Sequence, residues 1–231
     1  MKRSSLKHLK NLLSLIFDEA LRLECIDAAK GNPVRLVKVP KQAPAADETC
    51  SYDLRDVETM LAVLPEPAAT VCAVAAFAGL RRSELRGVRW EDYDGDQIKV
   101  KRSVWEAFTN PPKTKRSKAS VPVIARLRAI LAAHKLACGN PVAGPMFANG
   151  KGNPANLNNL LSRTILPVLN RCGICRKAKL AHTAESSHEY VRDGSLPEWH
   201  GFHSFRRGLG STLYALGVDD LMISGFLDTR T

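Results

Sequence analysis

The sequence predicts a mainly helical α+β fold with one small antiparallel sheet, preceded by a single helix. Three observations predict it. Apolar residues recur at helical spacing in several separate segments. Two short β-branched runs bracket a basic, proline-containing turn. A proline-rich stretch sets one N-terminal helix apart from everything after it.

Residues 4–24 place Leu6, Leu9, Leu12, Leu13, Ile16, Phe17, Ala20 and Leu21 on one helical face, with Ser4 or Ser5 as N-cap. One amphipathic helix cannot bury its own stripe, so this one calls for partners. Residues 31–50 contain Pro33, Pro40 and Pro44 and read as a linker, because proline removes amide donors and disfavours helix before it. A helix restarts over 51–64, capped by Asp53 or Ser51. A strongly apolar core helix follows over 68–80 and ends in Gly79-Leu80-Arg81-Arg82-Ser83-Glu84-Leu85. Gly79 lets the backbone turn there, and Ser83 is the expected cap of a short next helix. Residues 97–104 read as extended and 121–123 as the returning strand, a hairpin around the cationic segment 110–118. Helices are expected over 124–137, over 156–169 (broken near Pro167) and over 206–216.

Composition narrows the function. The 34 Lys and Arg against 23 Asp and Glu leave a net charge of +11. Lys and Arg neutralise phosphate and release counterions, so nucleic acid is one natural partner. A solvated basic surface is the other reading of charge alone. Apolar content of 45% is enough to build a core and excludes a disordered chain. No run of residues is long and apolar enough to span a membrane. The basic start lacks a small-residue cleavage site and reads as a helix, not a signal peptide. Six scattered cysteines suit a reducing cytoplasm.

The chemistry-bearing residues fall in a definite order. Arg81 sits at a helix end in GLRRSEL, and Lys113 lies in the hairpin before Val-Pro-Val. His203 and Arg206 form His-x-x-Arg, and Gly217 closes the helix after them. Taken singly, each is an ordinary surface or capping residue, and Arg82, Lys115, Lys118 and Arg207 compete for the same roles. Taken together over residues 51–229, the order and spacing resemble the catalytic domain of the tyrosine recombinases, which include the phage integrases and Xer-type recombinases. The resemblance implies a site-specific recombinase or integrase of a mobile element, acting on double-stranded DNA through a covalent 3′-phosphotyrosine. A guanidinium keeps its charge and offers paired donors to two phosphate oxygens. By resemblance, Arg81 and Arg206 stabilise the transition state and Lys113 protonates the leaving 5′ oxygen. His203 serves as donor or acid–base group, and Glu84 orients the arginine. Residues 1–48 correspond to the end of that family's core-binding domain and its linker, and 49–231 to the catalytic domain. No cofactor is needed for catalysis, and a tetramer on two DNA sites is the implied assembly.

By the same resemblance, the second histidine of the family falls at Thr229, after Leu227-Asp228, and the nucleophilic tyrosine would follow beyond Thr231. Tyr52, Tyr93 and Tyr190 lie outside the expected segment, and Tyr214 reads as a helix residue. The expectation is a fragment truncated at both ends. A non-catalytic DNA-binding remnant or regulator is the alternative reading.

Cys172, Cys175, His182 and His188 form C-x2-C-x6-H-x5-H. Two thiolates and two imidazoles can fill a tetrahedral zinc shell, with Gly173 allowing the tight turn. Such a zinc would be structural, ordering an insertion over about residues 171–198. A loop with incidental cysteines and histidines, or a basic zinc-containing adaptor of another kind, remains the competing description.

Overall fold

The computed structural model describes residues 1–42, 44, 48–106, 108–110, 120–182 and 187–227. The chain divides into two compact units, Met1–Thr49 and Cys50–Thr231.

The first unit is built on α1 (Arg3–Arg22). None of its residues is buried, and Leu9, Leu12, Leu13, Leu15 and Ile16 are exposed. The stripe anticipated from periodicity is therefore present and only partly covered: Leu6, Phe17, Ala20 and Leu21 are half-buried, while Leu9, Leu12, Leu13 and Ile16 are exposed. The segment expected to be pure linker folds back on this helix. The Asn32 amide donates to the Ser14 carbonyl (2.9 Å) and to Asp18 Oδ1 (2.8 Å), and its oxygen accepts from Val34 N–H (2.9 Å). Arg35 also pairs with Asp18 at 3.0 Å.

The second unit is organised around α3 (Ala68–Phe77), whose residues from Ala68 to Ala76 are all buried. Small side chains dominate this helix, so neighbours pack closely on every side. Those neighbours are α2 (Leu54–Val63), α4 (Arg82–Gly87), α5 (Ala125–Ala137) and α8 (Phe202–Ala215). Asp53 caps α2 by accepting from Asp56 N–H (2.7 Å), while Asp56 accepts from Asp53 N–H, a reciprocal box. Between α5 and α8 run α6 (Leu157–Leu160), a π-type turn at Leu161–Ile165 and α7 (Leu166–Leu169), with Pro167 in the first turn of α7. Last comes α9 (Asp220–Leu227).

The extended region differs from the single hairpin read from sequence. Strand β1 (Gln97–Lys99) pairs antiparallel with β4 (Ser120–Pro122), with Ile98 opposite Val121. A second antiparallel pair, β2 (Ser103–Trp105) and β3 (Phe108–Asn110), is inserted between them. The run breaks after Lys99 because buried Asp92 pairs with both Lys101 and Arg102. At the same point the Arg102 backbone comes against α4: a Cβ on Gly87 would lie 2.5 Å from the Arg102 carbonyl oxygen.

Helix α8 starts four residues earlier than its apolar pattern suggests, so His203 lies inside its first turn. The segment opening the second unit crosses this helix. Tyr52 N–H donates to the Ser204 carbonyl (3.3 Å), and a methyl at Gly208 would overlap the Tyr52 carbonyl oxygen.

Candidate functional site

Arg81 is the residue before α4, and its neighbour Glu84 holds it twice. Glu84 Oε2 accepts from the Arg81 backbone N–H (2.8 Å), and Oε1 pairs with the guanidinium (3.1 Å). The carboxylate therefore caps the helix and restrains the arginine, the role expected of Ser83 for the first of these. Arg82 turns elsewhere, donating to Asn158 Oδ1 at 2.5 Å.

Arg206 comes from α8 and is only 6% exposed. Its guanidinium donates to the carbonyl oxygen of Gly79, two residues before Arg81. Gly79 has φ +61°, and a Cβ there would press to 2.9 Å on Leu209 and Leu227. The turn thus needs glycine for its backbone, whereas the two leucine tips could move aside for a methyl. Arg207, the competing register, donates instead to the Cys50 carbonyl (2.7 Å).

His203 lies one turn before Arg206 and is exposed. Partial burial, and then the charges of Arg207, Arg206 and Arg81, hold its pKa below the ordinary histidine value. The α3–α4 turn and the start of α8 thus bring Arg81, His203 and Arg206 into one electrostatic neighbourhood. A neutral imidazole beside guanidiniums, one of them buried, is suited to an anion with several oxygens. Lys113, with its rivals Lys115 and Lys118, lies outside the described residues, as do Asp228 and Thr229.

The tyrosines have other engagements. Tyr52 is buried, accepts from His200 N–H (2.5 Å), and has its hydroxyl pKa pushed up by burial. Tyr93 donates to the Gly95 carbonyl (3.2 Å) and Tyr190 to the Asn170 carbonyl (2.9 Å). Tyr214 is exposed on α8, eight residues beyond Arg206, or about 12 Å along a helix.

The Sγ atoms of Cys172 and Cys175 and ring nitrogens of His182 and His188 all lie within 4.8 Å of one another. Burial pushes the Cys172 thiol up. The amides of Cys175, Ile174 and Val191 and the His188 ring outweigh it and hold the thiol down at about 5. The left-handed residue of this turn is Arg176 (φ 61°), not Gly173. At Gly173 a Cβ would make only ordinary contact, 3.4 Å from the Asp193 Cα, so neither backbone nor space demands glycine there. Asp193 was not singled out from sequence, yet it ties the turn down by pairing with Arg171 (3.0 Å) and Arg176. The Ser195 hydroxyl, working against burial, and then the two guanidiniums hold the Asp193 carboxyl down at about 2.

Neither a family model nor a curated protein matches the sequence. Solved structures match the fold. A Tn1549 transposon integrase in complex with circular intermediate DNA gives a TM-score of 0.71 at 14% identity, over 100% of this chain and 73% of that one. A lambda integrase tetramer bound to a Holliday junction gives 0.61 at 16%, over 99% and 59%. The XerA recombinase gives 0.50 at 11%, over 100% and 76%. The chain has a tyrosine recombinase-like fold. Within this recombinase-like body, sequence order alone did not distinguish Arg206 from Arg207 or Arg81 from Arg82. Their contacts do differ: Arg206 reaches the Gly79 carbonyl, Arg82 donates to Asn158 and Arg207 to the Cys50 carbonyl.

Proposed function

We propose that this chain carries the phosphate-activating part of a site-specific DNA recombinase or integrase. Its substrate is double-stranded DNA. The reaction is transfer of a phosphodiester to a tyrosine hydroxyl and back, a cofactor-free exchange that conserves bond energy. Arg81 and Arg206 bind the non-bridging oxygens, His203 donates to one of them, and Glu84 positions Arg81. Lys113 protonates the departing 5′ oxygen. The observation that carries this reading is the link between Arg206 and the Gly79 carbonyl, beside Arg81, with His203 under the influence of both cations. The DNA complexes among the fold neighbours support it. We assign residues 1–48 to the end of a core-binding domain and 49–231 to the catalytic domain, and we expect protomers to assemble on paired sites. The sulfur–imidazole group takes no part in this chemistry, and we assign it a structural zinc ion.

The positions of Tyr52, Tyr93, Tyr190 and Tyr214 favour a second point: none of them is the nucleophile. The 231 residues should therefore bind DNA without becoming joined to it. The test is fluorescence anisotropy on duplex DNA together with trapping on a nicked suicide substrate. Affinity should fall on the order of 100-fold between about 50 and 200 mM salt, if about four phosphates are neutralised. Arg81→Lys and Arg206→Lys, which keep charge but lose the paired donors, should each cost about 1–3 kcal/mol. No covalent adduct should form. Binding indifferent to salt and to both substitutions would refute the DNA reading, and efficient trapping would refute the account of the tyrosines.

A further inference from the structure

We propose that Cys172, Cys175, His182 and His188 together bind one Zn²⁺, and that the ion fixes the stretch of chain leading into α8. In a tetrahedral shell with Zn–S of about 2.3 Å and Zn–N of about 2.0 Å, ligand atoms stand about 3.3–3.8 Å apart. Cys172 Sγ and His188 Nε2 are 3.3 Å apart, and His182 Nε2 and His188 Nε2 are 3.2 Å apart. A hydrogen bond can account for one of these contacts but not for both. His188 Nε2 carries either a proton or a lone pair, yet it faces a sulfur and a nitrogen at once. A cation at the centre satisfies all four groups, and two thiolates neutralise its charge. Sulfur with imidazole selects zinc over hard cations such as magnesium or calcium. On the far side of the ring, Ser187 Oγ lies 3.4 Å from His188 Nδ1 and steadies Nε2 inward.

Apart from the Asp193 ion pairs and a few backbone bonds, the loop has no apolar packing to hold it. Between Gly173 and His182 no described residue is buried, and Ile174 and Leu180 are exposed. Without an apolar core, a metal would add the order that polar contacts alone supply weakly.

From the ligands a continuous set of contacts reaches α8. Cys172 forms a β-bridge with Arg192, and Gly173 N–H donates to the Val191 carbonyl (2.8 Å). The Arg192 guanidinium then holds the carbonyls of Leu196 (2.9 Å) and Pro197 (2.6 Å). Trp199 packs edge-on against Phe202 and Phe205, and His200 N–H is held by the Tyr52 hydroxyl. Gly201 opens α8, whose first turns carry His203 and Arg206. The metal assignment stands apart from the recombinase reading; only its consequence for the phosphate site rests on that reading.

The full chain is purified with zinc present and its metal content measured, and metal-free protein is titrated with Co²⁺. One zinc per chain is expected, with the intense visible bands and thiolate charge transfer of tetrahedral cobalt. Cys175→Ser and His182→Ala should each cut the stoichiometry about tenfold, with Cys138→Ser as an unaffected control. Should the ligand variants not fold, wild-type protein stripped by chelation and reloaded with Zn²⁺ alone gives the same readout. Hydrogen exchange then compares the two forms: amides over 171–206 should exchange about tenfold or more faster without metal, while α3 is unchanged. Absence of stoichiometric metal, or the weak bands of octahedral cobalt, overturns the site. Bound metal with unchanged exchange over 192–206 overturns its positioning role. Neither result depends on DNA, so both survive failure of the recombinase reading.

Discussion

His203 is the residue whose charge state responds most directly to an occupied site. Partial burial, and then the charges of Arg207, Arg206 and Arg81, hold its pKa below the usual value, which favours the neutral ring in the free protein. An anion between it and the guanidiniums raises that pKa again, and binding then takes up a proton. DNA affinity should therefore increase as pH falls from 8 toward 6, by at most about tenfold per unit of difference between free and bound pKa. His203→Gln should flatten the profile by that amount, as read by anisotropy, and an unaltered profile would contradict the placement. In folding the sign is opposite. The unfolded chain takes the proton first, so His203 costs stability as pH drops through its ordinary value toward its lowered one. At this scale the sequence named the candidates but not their anchors. His-x-x-Arg predicts a shared helical face, yet nothing in it says that Arg206 reaches across to the Gly79 carbonyl. Nor does the string RR reveal that Arg207 is drawn to Cys50.

Helix α8 is where packing constrains the site most tightly. Two glycines lie within it, and each costs about 1 kcal/mol of helix propensity relative to alanine. Their surroundings differ. Gly208→Ala would drive a methyl into the Tyr52 carbonyl, so it should lower stability by about 3 kcal/mol. Gly210→Ala would place its methyl 3.1 Å from the Leu227 side-chain tip, which can move aside. The gain in propensity should then leave stability within about 1 kcal/mol of wild type. Urea midpoints of the two variants check the contrast, and equal effects would show that the crossing of α8 by residues 50–53 is looser than described. Helices were the legible elements, because apolar periodicity survives in a single sequence. The strands were not. Whether residues 97–104 form one strand or two depends on Asp92 gathering Lys101 and Arg102, a choice made by tertiary contacts.

Across the whole molecule, the mainly helical α+β class with a small antiparallel sheet followed from pattern, but the division of the strands into two pairs did not. The likeness to recombinase structures followed from the order of a few cations spread over more than a hundred residues. At 11–16% identity the likeness to those structures is one of fold, and the assembled chain adds what the string does not hold: Arg206 donating to the Gly79 carbonyl, two residues before Arg81. The central claim is that Arg81, His203 and Arg206 act on one oxyanion. Inorganic phosphate, titrated into the ¹⁵N-labelled chain and followed at arginine Nε and histidine ring signals by NMR, tests it most directly. Arg81, Arg206 and His203 should shift together on a single isotherm, and Arg206→Lys should weaken the response at the other two. Separate isotherms, or saturation of one group with the others silent, would mean that these side chains do not share a ligand.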